Sequence, residues 1–253
     1  MTTLENPSRT VAERFPLVFV TLSGLALILC QLVWRFILPG LDDSTRTLFE
    51  KISSCLLAIL LLGALNWWRK AGFGLRQRWR TLLPFLPLAV LPLLSIVFQL
   101  DKFHEIGPGR LAFFALVALM TGFAEEAIFR GLAIRAFLPQ GMMKAAVLSA
   151  LIFGLLHFAN LMVAADPLAT ALQVVFAILF GFACASPLLY TGWIWPLVII
   201  HAIQDFVAFW TTGGITEMAT PATSEIITTI LLMIPFAAYG FWLIRRREHL
   251  VIL

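Results

Sequence analysis

Two adjacent glutamates, Glu125 and Glu126, lie within the apolar run LAFFALVALMTGFAEEAIFRGLAIRAFL (111–138), one turn ahead of Arg130. Two further apolar runs each hold a histidine: His157 in SALIFGLLHFANL, and His201 in WPLVIIHAIQDFVAF, where Asp205 follows four residues on. An ionised side chain at bilayer depth costs roughly 2.5–3.5 kcal/mol on insertion scales, so charges kept there mark function. Carboxylates and imidazoles can activate water for hydrolysis, hold zinc or manganese, or relay protons and ions. For hydrolysis, Glu125 with His157 is the base pair for water, and His201 with Asp205 faces the oxyanion. A metal site lacks the helical HExxH spacing, although ligands from three helices could still converge. A transport relay lacks any pair of inverted repeats with broken helices.

Spacing separates the roles further. Consecutive residues on a helix diverge by about 100°, so Glu125 and Glu126 do not serve one face equally. Glu126 and Arg130, at i and i+4, are expected to pair across one turn, which leaves Glu125 free for chemistry. Asp205, also four residues from His201, is placed to hold that imidazole in one tautomer. An interhelical salt-bridge network would explain Glu126 and Arg130. It would not explain a further acid, two histidines and an aspartate at matching depth.

The elements that carry these residues follow from composition. The 253 residues are 60% hydrophobic and 13% charged, about half the usual charged share, so no separate soluble domain is expected. The expected fold is all-α: one polytopic membrane domain over 1–253, with about eight transmembrane helices around an intramembrane polar cavity and a catalytic core at 111–212. The spans fall near 15–38, 48–68, 81–100, 111–138, 144–163, 167–189, 193–212 and 224–244. Prolines 84, 87 and 92 predict a kinked or partly re-entrant third span. Ala-Ala-Asp-Pro at 164–167 predicts a tight turn between the fifth and sixth. Cys30, Cys55 and Cys184 all sit in apolar runs without paired spacing, so neither a disulfide framework nor a cysteine metal motif is expected. The first apolar stretch lacks a cleavage pattern and reads as a retained helix.

Basic residues set the orientation. Arg9, Arg14, Arg69, Lys70, Arg76, Arg78, Arg80, Arg135, Lys144 and Arg245–Arg247 fall on one side, against Arg35, Arg46, Lys51, Lys102 and Arg110 on the other. The richer side is expected to be cytosolic, with both termini inside. Arg69–Arg80, with Trp67, Trp68, Phe73 and Trp79, reads as an amphipathic connection along the inner leaflet. Trp193 and Trp195 read as interfacial anchors. The net charge of +4 is explained by topology, and no nucleic-acid partner is expected.

Three motifs stand in order: E-E-x-x-x-R (Glu125 to Arg130), F-x-x-x-H (Phe153 to His157) and H-x-x-x-D (His201 to Asp205). Together they resemble the CAAX protease and bacteriocin-processing family, the type II CAAX endopeptidases or intramembrane glutamic proteases. The resemblance covers residues 121–205. It implies an eight-helix fold with a polar cavity open to the cytosol, and peptide-bond hydrolysis without a covalent intermediate, a required metal or a cofactor. It further implies Glu125 as the base acting with His157, Glu126 and Arg130 as supporting partners, and an oxyanion hole lined by His201 and Asp205. Eukaryotic prenyl-protein proteases of this family carry asparagine where this chain has Asp205, which points away from prenylated substrates. Short inner loops and modest length suggest a bacterial inner-membrane protein acting on a membrane-associated peptide or protein tail. A non-catalytic scaffold or immunity role is the other reading such a chain allows.

Overall fold

The computed structural model describes residues 10–74, 78–103, 105–163, 166–215 and 223–248, and all its regular elements there are helical. That outcome follows from solvent: backbone groups in lipid find no water, and a helix satisfies them within its own segment. Six stretches among the described residues are long and apolar enough to cross a membrane. They are Pro16–Ile37 (α2), Asp43–Ala64 (α3), Trp79–Phe98, Pro108–Gln140, Met142–Met162 and Pro167–Thr191 (α8). The other two expected spans are helices too, α9 (Trp195–Thr212) and α10 (Thr223–Glu248). His201, Gln204 and Asp205 dilute the apolarity of α9. Six stretches among the described residues are thus long and apolar enough to cross, and α9 and α10 pack into the same bundle.

Several of these stretches are not uniform. Trp79–Phe85 is a 3-10 turn that leads into α4 (Leu86–Phe98), which has Pro92 inside it, so the proline-rich third span is irregular as its sequence predicts. The Tyr239 hydroxyl donates to the Pro84 carbonyl at 3.0 Å and satisfies it within the bundle. The fourth stretch comprises α5 (Pro108–Glu125), a π-helical segment (Glu126–Ala133) and the short α6 (Ile134–Phe137). The fifth is α7 (Met142–Leu156) followed by a 3-10 segment, His157–Val163. Residues 164–165 of the expected turn lie outside the described residues.

Packing brings the motif-bearing elements together. Helix α5 lies against α9 and α3, α7 against α8, and α8 against α10. Glycine permits two of the approaches. A Cβ at Gly122 would sit 2.9 Å from the Val198 carbonyl oxygen and 3.2 Å from the Ala202 nitrogen, so α5 meets the backbone of α9 directly. A Cβ at Gly154 would sit 2.9 Å from the Val174 carbonyl oxygen, so α7 meets α8 in the same way.

The connection after α3 departs from its expected place. Trp67, Ala71 and Phe73 are buried, and the Ile194 amide donates to the Gly72 carbonyl at 3.1 Å. Its start is therefore tucked into the bundle rather than laid along a leaflet. Gly72, at φ 93°, allows the reversal. Trp79 at the far end is exposed, and Arg76 lies outside the described residues. Trp195 is likewise more than an anchor: its ring packs 5.3 Å from Phe73 and 6.5 Å from Phe123.

A short helix, α1 (Val11–Arg14), closes one end of the bundle. Thr10 and Glu13 form a capping box around its first turn. The Glu13 carboxylate then pairs with Arg135 of α6 at 2.8 Å, and Arg135 covers the buried Trp67 ring at 5.6 Å.

Candidate active site

The polar residues on α5, the π segment and α9 converge on one imidazole. The Nδ1 of His201 donates to the Glu126 Oε1 at 2.8 Å, since an ionised carboxylate can only accept. The other ring nitrogen, Nε2, lies 3.7 Å from Glu125 Oε2 and 3.7 Å from Asp205 Oδ2. The edge-on ring of Phe180 from α8, 5.7 Å away, closes the apolar side of the imidazole. Glu126 and Glu125 therefore straddle the ring, one at each nitrogen.

Their neighbourhoods differ. The Glu126 side chain is 0% exposed, and its Oε1 also lies 3.3 Å from Arg130 Nη1. This is the expected i, i+4 pair, held by charge: the three guanidinium nitrogens and Glu126 Oε2 have no hydrogen-bond partner among the described residues. Arg130 instead rests on the face of Phe153, with the guanidinium carbon 4.1 Å from the ring centroid. Glu125 and Asp205 keep 17% and 24% of their side chains exposed. They are the carboxylates that a bound molecule can reach.

A local change of helical spacing makes this arrangement possible. Glu125 closes α5, and Glu126 opens the π segment, which runs to Ala133 and is buried throughout. Wide π turns are rare and recur at functional sites. The segment packs closely at Gly131, where an added Cβ would stand 3.1 Å from the Ala71 Cβ.

The contacts of His157 are with Phe153. Its Nδ1 lies 2.9 Å from the Phe153 carbonyl, and its ring meets the Phe153 ring edge to face at 4.9 Å. No hydrogen bond or ion pair joins it to Glu125. A carbonyl only accepts, so a hydrogen sits on Nδ1, and the tautomer with that single hydrogen has its lone pair at Nε2. Phe153 thus contacts both Arg130 and His157, a role its motif position alone does not reveal.

Among the described residues no three His, Cys, Asp or Glu side chains are arranged to hold a metal ion. A cleft of about 470 Å3 lined by Asp43, Ser44, Thr47, Arg110 and Phe113 shares no residue with the cluster.

Residues 107–207, which contain the π segment, His157, His201 and Asp205, match the family model described as Rce1-like, type II CAAX prenyl endopeptidase. At family level the match supports a CAAX-type intramembrane protease, and the apolar helices make the chain an integral membrane protein. No curated protein gives a significant match to the chain.

Proposed function

We propose that the chain is an intramembrane glutamic endopeptidase that cleaves a membrane-associated peptide or protein tail at the cytosolic side of the membrane. The observation that carries this reading is the His201 imidazole with buried Glu126 at one nitrogen and the reachable carboxylates of Glu125 and Asp205 at the other. Glu125 takes a proton from water, and the resulting hydroxide attacks the scissile carbonyl. The Nε2 lone pair of His157 accepts a hydrogen bond from the hydrogen that stays on that oxygen and aims it. His201, held by Glu126 and carrying a hydrogen on each ring nitrogen between its flanking carboxylates, donates from Nε2 to the developing oxyanion. Asp205 acts through His201, because a bare carboxylate would repel the oxyanion. The proton held by Glu125 then passes to the leaving amine, which restores the carboxylate.

Both termini are assigned to the cytosol of a bacterial inner membrane, on the excess of Lys and Arg at that end. The ion pair of Glu13 with Arg135 fits this sidedness, since it joins two segments assigned to the same side. Membrane proteomes of cells with and without the protein are expected to differ by an accumulating precursor. A quenched fluorogenic peptide across its cut site then serves as substrate for the purified protein. Glu125→Gln and His157→Ala should each abolish cleavage while the protein stays folded in the membrane. Full cleavage by Glu125→Gln would rule the mechanism out.

A further inference from the structure

The face of α7 that meets the π segment carries Ser149 and Phe153, four residues apart, and His157 follows at the same spacing as the residue that caps the helix. Phe153 and His157 are accounted for above. Ser149 is not. It is 1% exposed, and its hydroxyl donates to the carbonyl of Phe129, within the π segment, at 2.5 Å. Below that bond the Phe129 and Phe153 rings meet at 5.0 Å, and Arg130 lies on Phe153.

A serine inside a helix ordinarily turns its hydroxyl back to a carbonyl of its own helix. Thr47, Thr121 and Ser186 do so in this bundle. Ser149 instead reaches across to another element. The carbonyl it meets, that of Phe129, lies inside the π segment, whose end is marked by the Ile134 amide donating to the Gly131 carbonyl. The bond therefore fixes the π segment against the helix that ends at His157.

We propose that Ser149 is a positioning residue for the protease reaction: its hydroxyl, on the Phe129 carbonyl, sets the register between the π segment and α7. Through that register it sets the placement of Glu126 and Arg130 relative to His157. The proposal rests on the reading of the site as a protease. Misplacement of reacting groups by about 1 Å costs on the order of a hundredfold in rate, so loss of one such bond is expected to lower kcat on the order of tenfold. Ser149 touches no reacting atom, so KM should stay within about twofold.

The test compares wild type, Ser149→Ala, Ser149→Thr and Glu125→Gln as full-length protein, with the fluorogenic peptide defined above. The expected result is a fall in kcat for Ser149→Ala at nearly unchanged KM and thermal midpoint, with most of the loss restored in Ser149→Thr, which keeps the hydroxyl. An unchanged kcat in Ser149→Ala beside an inactive Glu125→Gln would overturn this proposal alone. An active Glu125→Gln would overturn the protease mechanism beneath it. A readout that needs no substrate is isotope-edited infrared spectroscopy of protein labelled with 13C at the phenylalanine carbonyls. Ser149→Ala should move one carbonyl band to higher frequency, and identical spectra would likewise refute the bond.

Discussion

Glu125 and Glu126 share a peptide bond and almost nothing else. Glu126 is sealed between Arg130 and His201, whereas part of the Glu125 carboxylate stays open. Their failures on mutation should differ accordingly. Glu126→Ala leaves the Arg130 charge buried without its partner, a change that costs about 3–5 kcal/mol in comparable buried pairs. Unfolding in detergent should show that loss, and Glu126→Ala with Arg130→Met should recover much of it. Strictly additive losses in the double variant would show that the two side chains do not act as a pair. Glu125→Gln, by contrast, should shift stability by no more than about 0.5 kcal/mol while it removes the base.

The helices hold these residues in place through close backbone approach. At Gly122 an added methyl would press on the backbone of α9, which cannot yield as a flexible side chain could. Gly122→Ala should therefore destabilise the bundle by about 1–3 kcal/mol and lower activity with it. Gly63, on α3 with open space around it, is the control: Gly63→Ala should be neutral or raise the thermal midpoint. A Gly122→Ala protein as stable as Gly63→Ala would argue that α5 and α9 have slack between them. Much of this scale is legible in the sequence. Apolar runs give the helices, and their rare ionisable residues give the candidate site, because hydrophobicity and its interruption are local properties. The π spacing is not legible, since it comes from packing, and the motif reads equally well on an α-helix. The bond from His201 to Glu126 spans 75 residues and was hidden behind the nearer pairing of His201 with Asp205. The buried start of the 69–80 connection is not legible either, because its charges suggest a surface, while Ala71 and Phe73 fill the space beside Gly131 and Trp195. Ser149 could have been found from its spacing of four to Phe153 and His157.

Across the whole molecule, the Glu13–Arg135 pair fastens the start of the described chain to the far end of the π-bearing stretch. Burial opposes the charge on Glu13, but hydrogen bonds from Thr10 and the charges of Arg135 and Lys70 outweigh it and hold the carboxyl below its ordinary value of 4.5. The folded protein thus binds this proton less readily than the unfolded chain. Glu13 adds stability above its unfolded pKa, and the contribution is lost as pH falls through the lower, folded value. The thermal midpoint of wild type should exceed that of Glu13→Gln at neutral pH, and the two should converge in acid below 4.5. A gap that persists unchanged in acid would count against the pair. The Glu126–Arg130 contact has a consequence of another kind, for biogenesis. The ribosome delivers α5 and the π segment well before α9, so His201 does not yet exist when Glu126 must leave water. Arg130 arrives four residues later on the same segment, and the acid and base can enter the bilayer as a self-neutralised unit. The later helix then inherits a carboxylate already in place.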